Sequence, residues 1–351
     1  MNPPCYVLCD ANKQVGYGHF FRTKYLVNAL EQSRNWHWLW CGNLTEDMQQ
    51  QVTHHQAYRD VIEAANALQD KHAGVVVCDS YHLKAEHYAT LSANHTVIVF
   101  DDFAPHTYKG VFCVINFCVA ARSYHYQAQH QLLGPKYFIT HPKLGAPAQG
   151  NTPQGNDAQG NDAQGLTPQV NTLLANKPSR QLRILIAMGG FDRFAVGRRL
   201  AEALVAKTNH SITNIHVTLL ERDVATSSLY QVISFCDDMP SLYRQADVVI
   251  SGGGLTKYES AFSHIPNVVI AQTDAQFAES VLFAKLGLCI NYALAKNLHE
   301  QSIIEFVEWF TTNDWHQEQR NIVNASLANF DPHSTINVAQ QLLTWLEQDN
   351  E

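Results

Sequence analysis

The sequence predicts an α/β protein made of two doubly wound halves. Three observations predict it. Short apolar runs alternate with helical stretches. The alternation stops at a polar, repetitive segment and then starts again. Three of the apolar runs end in glycine turns that lead into helices. A chain of 351 residues is long enough for about two domains of ~150 residues.

The elements follow in order. "CYVLCD" (5–10) reads as a strand and Thr23 to Glu31 as a helix; "HWLWCG" (37–42) is a second strand. Residues 57–70 read as helical, 73–81 as a strand ending in polar residues, and 84–92 as helical; 95–102 and 110–117 are further strands. Near-continuous Val, Ile, Cys and Phe in these runs suits strands buried on both faces of a parallel sheet. Residues 145–181 interrupt the pattern: the repeat "QGNDA" occurs at 154–158 and 159–163, with almost nothing to bury, so a linker or loop is expected. The alternation resumes with strands at 183–192, 215–220, 231–239, 247–256 and 267–272, separated by helices at 194–207, 241–246, 257–265 and 276–286. The tail, 333–348, reads as one amphipathic helix with Ile336, Val338, Leu342, Leu343 and Leu346 on its apolar side. The expected organisation is therefore a Rossmann-like domain over 1–144, a linker over 145–181, a second Rossmann-like domain over 182–332 and a terminal helix over 333–351.

Composition narrows the function. Hydrophobic residues make up 46% and charged residues 16%, and the net charge is −8 with no basic cluster. That disfavours nucleic acid and anionic membranes as partners, while leaving a small anion that backbone N–H groups can hold. No apolar run approaches the ~18 residues of a membrane span, and "MNPPCYVLCD" lacks a signal-peptide pattern, so a cytoplasmic location is expected. The eight cysteines form no C-x-x-C pair and sit mostly in apolar runs, as buried reduced thiols would. The eighteen histidines scatter without H-E-x-x-H, and neither a metal nor another cofactor is expected.

Two half-domains facing each other leave a cleft at the carboxyl ends of their strands, where ligands of such folds bind. Gly16-Tyr17-Gly18, Gly189-Gly190 and Gly252-Gly253-Gly254 each follow a strand and precede a helix. Each is a plain tight turn or a close approach to an anion at a helix N-terminus; two of them in the second half favour a diphosphate cradle there. Glu259 reads either as an acceptor for ribose hydroxyls or as a solvated helix glutamate. Asp79 and Tyr81 lie at the end of one strand, and Asp101 and Asp102 at the end of another; the adjacent pair reads as one cap and one structural acceptor, since neighbours on a strand point to opposite faces. His19 is delivered by glycines to a strand-to-helix corner, where its side chain is expected to face the cleft rather than the core. The helix N-terminus there disfavours its protonated form, leaving a candidate general base.

With these residues in place, "GYGHFFRTKYLVNAL" resembles the G-x-G-H-x-x-R-x-x-x-L-x-x-x-L opening of the pseudaminic-acid pathway sugar-nucleotide hydrolases (PseG, with the related SpsG proteins). "VVVCDSYHL", "VIVFDDFA", "LLGPKYFI", "ILIAMGGFD" and "ADVVISGGGLTKYESAFSHIPNVVIAQ" are similar to further blocks of that family, in the same order. The family is similar to the MurG-type glycosyltransferases, so the resemblance implies the GT-B architecture, two Rossmann-like domains facing across a cleft. It also implies a metal-independent, inverting hydrolysis of UDP-2,4-diacetamido-2,4,6-trideoxy-β-L-altropyranose. In that family role His19 takes the proton of the attacking water, with Tyr81 and Asp79 near the sugar and water. Gly16, Gly18 and Arg22 belong to the same opening motif and are expected to contact the substrate or nucleotide. Gly189 and Gly190 fall near the diphosphate, Gly253, Gly254, Leu255 and Thr256 around phosphates, Glu259 on the ribose, and Gln276 in the block after "VVIAQ". The chain departs from the family at Ala275, where an asparagine associated with the reaction is usual, and at His141, where an arginine is usual. The alternatives are a GT-B glycosyltransferase that deprotonates an acceptor hydroxyl, and a degenerate nucleotide-sugar binder without activity.

Overall fold

The structure, a computed structural model, describes residues 3–12, 14–144, 181–190, 192–208, 214–222 and 225–349. The predicted linker, 145–181, lies outside the described residues except for Gln181.

Two parallel sheets form the frame. The first contains β1 (Cys5–Cys9), β2 (Trp38–Gly42), β3 (His54–Ala57), β4 (Val75–Asp79), β5 (Thr96–Phe100), β6 (Cys113–Asn116) and β7 (His130–Leu133), in the order β3-β2-β1-β4-β5-β6-β7. The second contains β8 (Leu182–Ala187), β9 (Ile215–Leu220), β10 (Gln231–Ile233), β11 (Val248–Ser251), β12 (Asn267–Ala271) and β13 (Ile290–Leu294), in the order β10-β9-β8-β11-β12-β13. Both start in the middle, wind to one edge, cross back and wind to the other, as doubly wound sheets do.

The strands read as apolar runs because both faces are buried. In β1, Cys5, Val7 and Cys9 enter one core, while Tyr6 and Leu8 enter another. The first core is closed by α1 (Gly18–Arg34) and Met48 of the short α2 (Glu46–Gln49), the second by α3 (Val61–Leu68) and α4 (Ala85–Ser92). The second sheet repeats the arrangement. Ile184 and Ile186 pack under α5 (Val196–Thr208) and α9 (Glu300–Thr312); Leu185 and Ala187 pack with α6 (Met239–Gln245), α7 (Leu255–Phe262), α8 (Asp274–Lys285) and α10 (Trp315–Asn329). All eight cysteines are free, and seven of them are buried.

Some expectations are corrected. The first helix starts at Gly18 rather than Thr23, so the glycine motif already forms its first turn. Part of 231–239 is strand, but only Gln231–Ile233. The segment His54–Ala57 is a strand that composition conceals, since it is a largely exposed edge with two histidines and a glutamine.

The last helix, α11 (Ser334–Gln348), returns to the first half. Val338, Ala339, Leu342, Leu343 and Leu346 enter the same core as Val7 and Phe20. Its start is pinned to the loop after β7, where the Ser334 hydroxyl donates to the Phe138 carbonyl and Thr335 Oγ1 accepts from the Thr140 N–H at 3.1 Å. Ile336, expected on the apolar side, is 53% exposed. The halves also meet around Tyr258 of α7, whose ring lies 5.1 Å from Phe117 and 5.4 Å from Phe138 of the first half. The substitution Leu342→Ala, at a side chain with no exposed surface, should destabilise the protein by about 2–5 kcal/mol in urea unfolding, while Ile336→Ala should change it by less than about 0.5 kcal/mol.

Candidate active site

Each sheet places its candidate residues where the strand order reverses. In the first, β1 feeds the turn and α1 that carry His19, and its neighbour β4 ends at Asp79. In the second, β8 runs into Gly189-Gly190 and its neighbour β11 into Gly252-Gly253-Gly254. The crevice between such strands is open because their crossovers leave in opposite directions.

The first-half site is a hydrogen-bonded cluster centred on Arg22. Its guanidinium donates to Asp79 through Nε at 2.6 Å and Nη2 at 2.7 Å. It also donates to Asp102, through Nη1 at 2.8 Å and Nη2 at 3.1 Å. Thr23 adds a hydroxyl to Asp79 at 3.1 Å. Burial alone would raise the Asp79 carboxyl, but the charges and hydrogen bonds of Arg22 and His19 outweigh it and hold it at about 2. Asp102 is likewise held below its usual range, because Arg22 and the Tyr81 hydroxyl outweigh burial.

His19 Nδ1 lies 2.5 Å from Asp79 Oδ1. An ionised carboxylate only accepts, so Nδ1 carries the proton and the lone pair falls on Nε2. Among the described residues Nε2 has no partner. The Tyr81 ring meets the His19 ring edge-on at 4.5 Å, and its hydroxyl donates to Asp102.

Three of the expected residues are placed as follows. Asp79 has no exposed surface and orients the His19 ring. Arg22 is 3% exposed and engaged by both Asp79 and Asp102, so it organises the cluster. His19 is 7% exposed, its ring held by Asp79 and Tyr81. Asp101 and Asp102 part to opposite sides, as expected: Asp101 caps the turn at Ala104 and accepts from Tyr108 and Tyr126.

In the second half the two glycine turns are not equivalent. The Gly189-Gly190 turn leads to α5, where Asp192 accepts the Gly197 N–H at 2.6 Å. That carboxylate occupies the helix N-terminus and repels an anion, so only the loop backbone is left for one. The Gly253-Gly254 turn leads to α7, whose N-terminus has no side-chain cap. Its N–H groups, at Leu255 and Thr256, are open. Gly253 has φ +83°, and a Cβ there would meet the Gln276 Cβ at 3.3 Å, so glycine is required. Behind the turn, the buried Lys257 donates to the Gly253 carbonyl at 2.9 Å. Glu259 accepts from the Tyr243 hydroxyl at 2.7 Å, and burial raises its carboxyl. Its charge acts on the phenol of Tyr25, on α1 across the cleft. The edge of the His141 ring lies against Tyr25 at 5.1 Å.

The two halves close on each other at these turns. A Cβ at Gly190 would stand 3.0 Å from the Gly16 Cα, and one at Gly18 would stand 3.0 Å from Leu255 Cδ1. Gly190 and Gly18 therefore allow the two loops to meet. The N-terminus of α1, where the Tyr17 side chain makes no capping hydrogen bond, thus lies beside that of α7. Arg222 bridges the same edge, donating to the Tyr17 hydroxyl at 3.0 Å over its ring. Sequence reasoning missed Arg222, Lys257 and Glu279, and placed Asp102 only as a structural acceptor. Lys257 in the motif "GGGLTKYE" was the one visible signal, a cation beside a glycine turn.

Comparisons with known proteins bear on the fold. Residues 195–331 match the glycosyltransferase family 28 C-terminal domain. The spore coat polysaccharide biosynthesis protein SpsG of Bacillus subtilis is 24% identical over 180 residues, 49% of this chain and 46% of SpsG. The chain spans about half the length of the curated relatives it matches. Acinetobacter baumannii MurG has a TM-score of 0.62 at 14% identity, over 97% of this chain and 100% of that one. The calicheamicin glycosyltransferase CalG4 has a TM-score of 0.57 at 13% identity, over 100% of both chains. The fold is GT-B. No helix among the described residues is long and apolar enough to cross a membrane.

Removing the guanidinium with Arg22→Met strands two buried carboxylates, and equilibrium unfolding should show a loss of about 3–5 kcal/mol. Asp79 has a depressed carboxyl in the folded state, so its contribution is present above its unfolded value and lost as pH falls. Acid unfolding should therefore weaken the protein from about pH 4 down to about 2, and Asp79→Asn should flatten that part of the profile.

Proposed function

We propose that the protein is a sugar-nucleotide hydrolase that cleaves a UDP-linked sugar held across the cleft, with His19 as general base. One observation carries the reading: His19 is fixed by Asp79 through Nδ1 with Nε2 unpartnered, beside two adjacent helix N-termini that no side chain caps. A diphosphate satisfies the N–H groups of α7, and the N-terminus of α1 adds favourable potential for the same anion. Glu259, placed on α7 beside that turn, accepts the ribose hydroxyls. His19 Nε2 takes a proton from water as its oxygen bonds to the anomeric carbon and the bond to the diphosphate breaks. The imidazolium that forms is stabilised by Asp79, and the departing charge by the helix ends. Similarity to SpsG, a spore coat polysaccharide biosynthesis protein, supports a sugar-nucleotide substrate. The resemblance to the pseudaminic-acid pathway hydrolases supports the diacetamido-trideoxy-altrose sugar. Asp79 and Asp102 both spend their oxygens on Arg22, so this pair is not free to hold a metal.

Ala275 favours a second reading, a glycosyltransferase of the same fold. It lines a cavity of about 310 Å³ beside Asp102, where an acceptor can stand in place of the family's asparagine. The test is UDP release from the UDP-linked sugar with purified protein. Release without an acceptor supports hydrolysis, strict dependence on an added acceptor supports transfer, and UDP binding without either sinks both. His19→Asn keeps a donor to Asp79 and removes the base, so kcat should fall by roughly 10²–10⁴-fold with little change in thermal stability. Glu259→Ala should instead weaken UDP binding measured by calorimetry, by about 10-fold for a lost charge-assisted hydrogen bond.

A further inference from the structure

Behind the turn that opens α7 lies a buried cation. Lys257 is 2% exposed, at a kind of position that is ordinarily apolar. Its side chain folds back on its own turn. Nζ donates to the Gly253 carbonyl at 2.9 Å and to Ser280 Oγ of α8 at 3.4 Å. The rings of Tyr258 and Phe283 stand 5.0 Å and 5.7 Å from it. Among the described residues it makes no ion pair with a carboxylate. The charge of Glu279 reaches it, but Glu279 Oε1 is taken by the Val119 N–H and the Tyr258 hydroxyl. Burial lowers the pKa of the ammonium, and Glu279 opposes that. A buried charge held only by neutral groups is costly.

The carbonyl that Lys257 holds belongs to the turn itself. Gly253 has φ +83°, and its oxygen is bonded to a group inside the protein. That oxygen is thereby kept from an anion at the Leu255 and Thr256 N–H groups, which it would repel. The ammonium stands behind the same N–H groups. Its field adds to that of the helix end, through an interior that screens it little.

We infer that Lys257 is a positioning residue and the buried counter-charge of the anion site at the start of α7, and that it selects a diphosphate over an uncharged nucleoside. It touches no ligand: it turns one carbonyl away and supplies positive charge from behind. The diphosphate in turn supplies the opposite charge that the ammonium lacks inside the protein. The inference rests on the proposed reading, in which the anion at α7 is the diphosphate of a sugar nucleotide.

The test is NMR titration of the full chain with UDP, uridine and inorganic pyrophosphate at constant ionic strength. In Lys257→Met the affinity for UDP and for pyrophosphate should fall by about 10-fold, as loss of one charge interaction implies, while that for uridine stays within about 2-fold. Ser280→Asp keeps the lysine and its bond to the Gly253 carbonyl but sets a carboxylate beside Nζ. It should cause the same selective loss, and it decides the matter alone if Lys257→Met does not fold. Equal weakening of UDP and uridine in Lys257→Met, which a merely structural lysine would give, overturns the inference. Unchanged UDP and pyrophosphate affinity in Ser280→Asp overturns it too. If the unaltered protein binds pyrophosphate but not UDP, the sugar-nucleotide reading fails and the two variants are compared on pyrophosphate; if it binds neither, both fail.

Discussion

The site depends on one guanidinium shared by two buried carboxylates. Arg22 reaches Asp79 at the end of β4 and Asp102 just past the end of β5, so it fixes the spacing of two strand ends from a helix that follows a third. Burial opposes the charge of both acids, and Arg22 is the largest of the groups that offset it. The functional groups hang on those acids: His19 takes its tautomer from Asp79 and Tyr81 takes its pose from Asp102. The stability of the cluster and the orientation of the His19 ring are therefore one problem, solved by one side chain.

The glycines serve a second constraint, that two loops from different sheets must touch. Gly16 lies against Gly190, and Gly18 against Leu255. A side chain at Gly190 would press on the Gly16 backbone, and one at Gly18 on the Leu255 side chain, where the two halves meet. Charge then distinguishes helix ends that look alike in sequence. Asp192 closes the start of α5 and Thr273 that of α8, whereas α1 and α7 have no side-chain cap. A diphosphate has a place only where no side chain has already taken the N–H groups.

Much of the frame was legible because parallel strands buried on both faces must be apolar throughout. β1, β4, β5, β6, β8, β11 and β12 show this plainly in their sequences. Edge strands escape it: His54–Ala57 is mostly exposed and polar. The start of α1 was also misplaced, since two glycines in a first turn look like a loop. In the site, His19, Tyr81 and Glu259 were visible from their places after strands and glycines. Glu279 was not, because it sits in the middle of an ordinary helix and finds its partner Val119 only 160 positions away in the chain.

The sequence by itself determined the alternation of elements, the two halves and the corner that carries His19, because these follow from local periodicity and turn chemistry. The tertiary structure alone decided which polar residues work on a ligand and which work on each other. Arg22 and Asp79 carry as much charge as any exposed pair, and local pattern gives no sign that they are spent internally. Only the strand order, which sets β4 beside both β1 and β5, brings those charges within hydrogen-bonding distance and leaves His19 Nε2 without a partner.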